Sequence, residues 1–232
     1  MSGRGSAPAA QDRASTRERL IEWAVRMFGE RGIEATSMRA LTEAAGTNIA
    51  AVNYHFGSKE GLLRAAVDQT MRAVNDERGR RLDELEAASP RPAVPDLVRA
   101  FVEPGAGLAR THGARGSDVA RFIGRIIGEP DPRVRRIFAE QVDPVEGRYL
   151  AALGRALPDL GDDGVRFAYT SMLGLLATYQ SGAFAPPDRS SHGGGPGAPA
   201  RSEGEWLVVF VIGGILAVLA EAGTADRGRR PA

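Results

Sequence analysis

The sequence predicts an all-α fold, and three observations support that prediction. Apolar residues recur at helical spacing along most of the 232 residues, and no stretch alternates like a half-buried strand. Two short helical segments flank Gly46, which supplies a tight turn between them. Two long apolar stretches near the C-terminus require a large buried surface. We therefore predict an N-terminal three-helix helix-turn-helix domain followed by a larger C-terminal helical domain.

The composition restricts the classes of function. With 43% hydrophobic residues the chain can bury a sizeable core, and its net charge of +1 gives no overall attraction to nucleic acid. The chain has no cysteine, which excludes disulfides and thiolate metal sites and fits a cytoplasmic protein. Its three histidines are far apart, and no nucleophile–base pair is visible. We expect no catalysis, no metal and no cofactor.

The first helix begins after a short arm. Residues 1–14 lack an apolar run and are predicted to be disordered. Ser15 and Glu18 are spaced as a capping box, and Gly32 ends the helix. An apolar stripe along this helix is formed by Leu20, Ala24, Met27 and Phe28.

The next two helices complete the predicted helix-turn-helix domain, residues 15–61. Thr36 or Ser37 can cap the second helix, and Gly46 makes the turn. Asn48 is a good N-cap for a third helix that runs to about His55. A helix-turn-helix places its second helix in the major groove of DNA.

The larger domain is predicted to span residues 62–224. Ser58 caps a long fourth helix, which the prolines of residues 88–95 end. Pro104 and Pro144 are expected to kink or split two of the later helices. Residues 185–204 are rich in Gly, Pro and Ser and predict a mobile loop, and residues 225–232 form a basic tail. The predicted later helices are 96–112, 117–128, 131–157, 162–183 and 205–222.

The third helix divides into two faces. Val52 is expected to pack inward, while Ile49, Ala50 and Asn53 lie on the opposite face. An exposed isoleucine can contact a thymine methyl, and an asparagine can bond adenine. Ordinary alternatives remain open, because Asn53 could be a plain surface residue and Phe56 a core aromatic.

Phosphate contacts are expected around the same helix. Helix N-termini present free amides that suit phosphate, and Lys59 is the only lysine among 30 basic residues. His55 could instead be an ordinary surface histidine. The candidate DNA-binding residues are Thr36, Ser37, Thr47, Asn48, Ile49, Ala50, Asn53, Tyr54, His55 and Lys59.

Residues 16–63 resemble the N-terminal domain of TetR/AcrR-family transcriptional regulators. The matching residues are Ala24, Phe28, Gly32, Thr36, Ala44, Ala45, Gly46, Tyr54, His55, Phe56, Ser58, Lys59, Glu60, Leu62 and Leu63. The resemblance implies a cytoplasmic homodimer that binds a palindromic double-stranded DNA operator. It also implies that Thr36, Ser37, Tyr54, His55 and Lys59 contact phosphates, while Ile49, Ala50 and Asn53 face bases. Asn53 departs from the family, which often has a tyrosine there, so family-average base preferences do not transfer.

Two apolar stretches predict the dimer interface. Residues 165–183 and 205–220 are apolar around much of their circumference, and Gly174, Gly213 and Gly214 allow close approach. The resemblance implies that the last two helices of each chain form a four-helix interface. Alternatively, both helices are internal core. Trp206–Ala220 is 15 residues long, shorter than the roughly 20 residues of a membrane span, and we interpret it as a buried helix; a membrane-attached module remains the less favoured reading.

The resemblance implies a small-molecule effector whose binding moves the fourth helix like a pendulum and weakens operator binding. The effector and the operator sequence are not readable. Arg121 and Arg125 could bind an acidic effector or belong to a solvated face, and a regulator without small-molecule control is the alternative. Candidate lining residues are Phe101, His112, Phe122, Arg125, Tyr169, Met172, Tyr179 and Gln180.

Overall fold

The computed structural model describes residues 7–181 and 202–227, and in these ranges it is helical without any strand. The all-α prediction is confirmed. Turns of 3-10 helix follow α6 and α8. The helices are α1 Ala7–Arg31, α2 Met38–Ala44, α3 Ile49–Phe56, α4 Lys59–Ala88, α5 Val94–Ala106, α6 Leu108–Thr111, α7 Gly116–Ile127, α8 Pro132–Ala156, α9 Gly161–Ser181 and α10 Glu203–Arg227.

Helix α1 is longer than the sequence indicates. It begins at Ala7, so residues 7–14 of the predicted arm are helical, and Ser15 and Glu18 lie inside the helix. A capping box at that position is therefore wrong, because the amides of Ser15 and its successors already have helical partners. The remaining residues of the predicted arm, 1–6, lie outside the described part of the chain.

The later helices follow the predicted positions, with one difference. The chain breaks between α5 and α6 just after Pro104, as expected. Helix α8, however, continues through Pro144 without a break. Buried residues on both sides of the proline, such as Ile137 and Tyr149, hold the two halves in one packed helix. This packing offsets the roughly 3 kcal/mol cost of an interior proline.

The core joins the N-terminal unit to the body. A first apolar cluster includes Leu20, Phe28 and Val52 from α1 and α3, and it continues into Phe122 of α7 and Ile137 of α8. A second cluster fills the space between α5, α8, α9 and α10. Helix α4 contributes to both clusters. A shift in the body can therefore be transmitted to α3 through packed side chains rather than through a flexible linker.

Helix α10 corrects the expectation of a buried helix. Val208, Val211 and Ile215 are buried against the protomer, but most other apolar side chains of this helix are exposed. Residues Glu203–Gly223 are long and apolar enough to span a membrane, with a mean hydropathy of 2.2, and only 17% of this apolar stretch is buried within the described structure. Of the predicted loop and tail, residues 203–204 and 225–227 belong to α10, and residues 182–201 and 228–232 lie outside the described ranges.

Candidate nucleic-acid interface

The turn between α2 and α3 is fixed by caps and a glycine. The Ser37 hydroxyl oxygen accepts a hydrogen bond from the Ala40 amide at 3.2 Å. Asn48 caps α3 in the same way, its Oδ1 accepting from the Ala51 amide at 3.1 Å. Gly46 has a φ of 63°, a left-handed conformation that costs a glycine little. The two helices are thus held at a defined angle.

Helix α3 has one anchored face and one exposed face. Val52 is 2% exposed and packs into the first apolar cluster. Ile49 is 49% exposed, and Ala50 and Asn53 are exposed beside it. The exposed face carries an apolar contact and one amide, and this combination suits base edges in a major groove.

Three aromatic residues close the C-terminal end of α3. The Tyr54 and His55 rings meet edge to face with centroids 5.0 Å apart, and His55 contacts Phe56 at 5.9 Å. Tyr54 is 69% exposed, whereas Phe56 is half-buried with the Arg17 guanidinium 5.6 Å from its ring centroid. Tyr54 is therefore largely in contact with solvent, and Phe56 has a largely structural role.

The N-terminus of α4 is packed directly against the end of α3. The Ser58 hydroxyl oxygen accepts from the Gly61 amide at 3.0 Å and caps the helix. A Cβ added at Gly61 would lie 1.9 Å from the Phe56 carbonyl oxygen, so only glycine fits. Lys59 occupies the first helical position, beside the free amides of this terminus.

The position of the Thr36 side chain does not support the phosphate contact predicted for it. Its side chain is fully buried, and its hydroxyl lies 2.7 Å from the Gly32 carbonyl and 3.2 Å from the Met27 carbonyl. The hydroxyl donates its proton to these carbonyls and holds the α1–α2 connection against the end of α1. The buried side chain therefore cannot reach DNA. The other predicted residues are exposed or, for Thr47, His55 and Lys59, half-buried.

Sequence reasoning missed one basic residue of this surface. Arg39 is exposed in the first turn of α2, close to the Ser37 cap. It is the only basic residue of that helix, a signal that was readable in the sequence. Its position suits a phosphate contact better than that of Thr36.

The body contains an interior cavity beside α4. Its volume is ≈ 10 Å³, about the space of one water molecule. Three predicted lining residues, Phe101, Tyr169 and Gln180, border it. Sequence reasoning missed the residues of α4 in its wall, which are Met71, Val74, Asn75 and Arg78.

The other five predicted lining residues lie elsewhere. Phe122 stacks on Phe28 with ring centroids 6.4 Å apart, and Arg125 Nε donates to the Gly29 carbonyl at 3.0 Å. Both residues join α7 to α1 instead of facing the cavity, and Arg121 is exposed. The remaining three are His112, in a groove near α1, Met172, in a groove between α9 and α10, and Tyr179, near Gly204.

Helices α9 and α10 expose a shared apolar face. A groove of ≈ 190 Å³ between them has almost no polar lining. Phe210 is 68% exposed at its edge. An apolar surface of this kind on a protomer usually marks an interface. We call this surface the α9–α10 face; Phe167, Leu175, Phe210 and Val218 border its groove, and α10 also exposes Trp206, Val209 and Leu216.

Within the described ranges, no group of three or more His, Asp or Glu side chains is placed to hold a metal ion. The shifted carboxylates belong to surface ion pairs. Hydrogen bonds from Arg80 and Arg81, for example, lower the pKa of Glu77 to about 2. The Glu77 pairs lie on the exposed side of α4, and the Asp131–Arg133 pair lies at the start of α8.

Comparison with known proteins identifies the fold. Residues 20–66 match the model of the tetR family of bacterial regulatory proteins, and residues 99–214 match the tetracyclin repressor-like C-terminal domain. The chain belongs to the TetR family. Members of this family are DNA-binding transcriptional regulators rather than enzymes.

Individual relatives agree with this assignment. The Bacillus subtilis regulator YttP is 35% identical over 57 residues, which cover 25% of this chain and 28% of YttP. The structure of PfmR from Thermus thermophilus has a TM-score of 0.54 at 22% identity, covering 84% of this chain and 92% of PfmR. AibR, solved with isovaleryl coenzyme A and operator DNA, has a TM-score of 0.54 at 20% identity, covering 85% of this chain and 96% of AibR. The chain thus aligns with under a third of YttP, and the structural likenesses establish the fold alone.

Proposed function

We propose that this TetR-family chain is a cytoplasmic homodimeric repressor that binds a palindromic operator and is released from it by a small molecule. The observation that carries the proposal is the α3 surface, which is anchored by Val52 and exposes Ile49, Ala50 and Asn53. Repression is the common mode of the family. The test is to select operator sequences from random duplex DNA with the purified protein. A palindrome with two half-sites about one helical turn apart is the expected result, and no enrichment counts against the proposal.

Base reading is assigned to the exposed face of α3. The Ile49 side chain can pack on a thymine methyl, and Asn53 can form two hydrogen bonds with an adenine edge. Asn48 at the N-terminus of α3 uses its Oδ1 for the cap, so its Nδ2 donors can reach a base or a phosphate.

Replacing Asn53 with alanine is expected to relax preference at one base pair in each half-site. A bidentate amide–base contact contributes about 1–3 kcal/mol of discrimination against the wrong base. Repeating the operator selection with the variant measures this loss. An unchanged preference at every position would show that Asn53 is a plain surface residue.

Phosphate contacts are assigned to Ser37, Tyr54, His55 and Lys59, and we add Arg39 because it is exposed in the first turn of α2. The Ser37 oxygen accepts from the Ala40 amide, so its hydroxyl proton remains free for a phosphate oxygen. Lys59 places its ammonium near the amides of the α4 terminus. These groups fix the orientation of α3 but read no sequence.

Replacing Lys59 with alanine is expected to weaken binding to all DNA sequences alike. The slope of log K against log salt should fall by about one unit per half-site, because one counterion fewer is released. Salt titrations of the wild type and the variant on the selected operator measure this slope. Arg72→Ala, which removes an exposed cation farther along α4, is the control and should leave the slope unchanged. Identical slopes for the wild type and Lys59→Ala would remove Lys59 from the contacts.

Dimerisation is assigned to the α9–α10 face. Its apolar side chains are exposed on the protomer, and the glycines at 174, 213 and 214 have no atom within 4 Å of a Cβ added there. A second copy can therefore approach closely along both helices. Two short α3 helices held at a fixed separation then explain a palindromic site.

Release is assigned to movement of α4 by a ligand in the interior cavity. Helix α4 begins beside the α3 surface at Lys59 and borders the cavity through Met71, Val74, Asn75 and Arg78. The Phe28–Phe122 stack and the Arg125–Gly29 hydrogen bond give a second route through α7 and α1. A hundredfold loss of operator affinity requires about 2.7 kcal/mol of coupling.

A regulator without small-molecule control is the second candidate, favoured by the small volume of the cavity. A space of ≈ 10 Å³ admits no effector unless the helices separate. Measuring operator affinity with metabolites of the regulated pathway distinguishes the two. Affinity that no such compound changes would favour this second candidate.

A further inference from the structure

Arg78 is a cation enclosed in the apolar interior of the body. Its side chain is 3% exposed and lies on α4 between the two apolar clusters. The guanidinium carbon is 3.8 Å from the centroid of the Phe101 ring, and Nε donates to the Phe101 carbonyl at 2.9 Å. One carbonyl and one ring are thus its close partners.

The charge of Arg78 has no counter-ion in the described part of the chain. No carboxylate of those residues forms an ion pair with its guanidinium, and the ionisable groups that affect its charge are the phenols of Tyr149 and Tyr169. Burial lowers the pKa of Arg78 to about 10, so the group is still charged at neutral pH. A buried charge without a partner costs several kcal/mol of stability. Stability alone therefore does not account for an arginine at this position.

The free side of Arg78 borders the interior cavity. Nη2 lies close to Gly105, where an added Cβ would be only 2.9 Å away. Gln180, which is 8% exposed, borders the same space and donates Nε2 to the Gly105 carbonyl at 2.9 Å. The Gln180 Oε1 atom is buried without a hydrogen-bond donor. Arg78 and Gln180 therefore form one polar end of a cavity.

The rest of the cavity wall is mainly apolar. Side chains from α4 to α9 supply it, and they suit a hydrocarbon or aromatic body. Glu146 also borders the space, and as a carboxylate it disfavours any anion beside it, so an anionic ligand must place its charge on the Arg78 guanidinium. The apolar lining residues are Met71, Val74, Phe101, Leu108, Ile123, Ile127, Phe138, Val145, Leu173 and Leu176.

We propose that the cavity binds an amphipathic monocarboxylate, whose carboxylate pairs with the Arg78 guanidinium and whose apolar body lies among the helices of the body. This inference rests on the proposed function, since it names the chemical class of the effector. With Nε already bonded, the four Nη protons of Arg78 remain to form a two-point contact with a carboxylate. A single buried arginine neutralises one negative charge, so phosphate-rich ligands fit less well.

Binding at this site must open the cavity. Its present volume of ≈ 10 Å³ means that the ligand separates α4 from the helices facing it. A ligand that binds only the open form shifts the population towards that form. The same site therefore supplies both the specificity for an anion and the movement of α4.

The test measures binding to the full-length protein without DNA. Isothermal titration calorimetry is run with straight-chain and phenyl-substituted carboxylates of about four to twelve carbons. Ligands in this size range fill a typical small-molecule pocket. Each acid is matched with its primary amide, its primary ammonium and its monophosphate ester. At least one carboxylate is expected to bind ten times more tightly than its three counterparts. Equal binding of acid and amide throughout the series, or preference for the ammonium or the phosphate, would overturn the proposal.

Arg78→Met tests the assigned residue. The variant removes the buried charge while keeping a long apolar side chain, so it should fold at least as stably as the wild type. The tenfold preference for the acid should disappear, whereas the exposed control Arg72→Met on the same helix should keep it. If Arg78→Met does not fold, Arg78→Lys serves instead and should reduce the preference, because lysine lacks the planar fork. An unchanged preference in the folded variant would contradict the assignment.

Failure of the proposed binding site and failure of the proposed release mechanism give different experimental results. A carboxylate that binds through Arg78 without changing operator affinity would leave the site standing and count against the release mechanism. Operator release by an uncharged compound, with no acid preference, would leave the proposed function standing and remove the inference.

Discussion

Replacing Gly61 with alanine is expected to abolish operator binding and to destabilise the protein by about 2–4 kcal/mol. The added Cβ would lie 1.9 Å from the Phe56 carbonyl oxygen, a backbone atom that cannot rotate away. Helix α4 must therefore move away from α3 by more than an ångström. That movement separates Lys59 from the α3 surface and weakens the Ser58 cap, which holds the Gly61 amide. Urea unfolding and operator titration measure the two effects.

Gly79→Ala is the matched control for this prediction. It lies on the same helix, and a Cβ there meets no atom within 4 Å. Since alanine is favoured over glycine by about 1 kcal/mol inside a helix, the control should be slightly more stable and bind DNA normally. If both variants behave alike, the close approach of α3 and α4 is not what positions the DNA-binding surface.

The helix-turn-helix was largely predictable because its signals are local. Ser37 and Asn48 act as the expected caps, and Gly46 takes the positive φ that its place in the turn requires. Val52 is buried, as its place on the helix indicated. Thr36 was misassigned because its hydroxyl bonds to α1, a tertiary contact that spacing along the chain does not reveal.

The cavity was only partly predictable, because its wall comes from six helices. Residue type alone predicts that aromatic side chains line a ligand cavity, yet Phe122 packs against α1 and Tyr179 lies near α10. The sequence nevertheless carries one signal of the cavity. Arg78 falls on the apolar stripe of α4, four residues after Val74 and four before Leu82. A charge at a core position of a helix indicates either a buried ion pair or a binding site.

Helix α10 shows why burial cannot be inferred from an apolar run alone. The run is long enough that all faces should be covered, but within the protomer only one face is. No residue in the described part of the chain covers the other face. A sequence therefore predicts the need for cover but not its source.

Replacing Phe210 with aspartate is expected to convert a dimer into a monomer. The side chain is 68% exposed on the protomer, so folding should be unaffected, whereas a charge inside an apolar interface is strongly unfavourable. Operator affinity should fall by about 10²–10⁴, because the two α3 helices no longer bind as one unit. Sedimentation equilibrium and operator titration measure these effects. Ala73→Asp, an exposed site on α4, adds the same charge elsewhere and should remain dimeric.

The same experiment separates the possible covers of the α9–α10 face. A wild-type dimer that is stable without detergent and dissociates in Phe210→Asp indicates that a second copy covers α10. A variant that remains dimeric would place the interface elsewhere. Wild-type protein that stays with the membrane fraction, and is released by the aspartate, would instead indicate that lipid covers the helix, as its length and hydropathy allow. Only the first outcome supports palindromic recognition, because a fixed spacing of two α3 helices requires contact between the protomers.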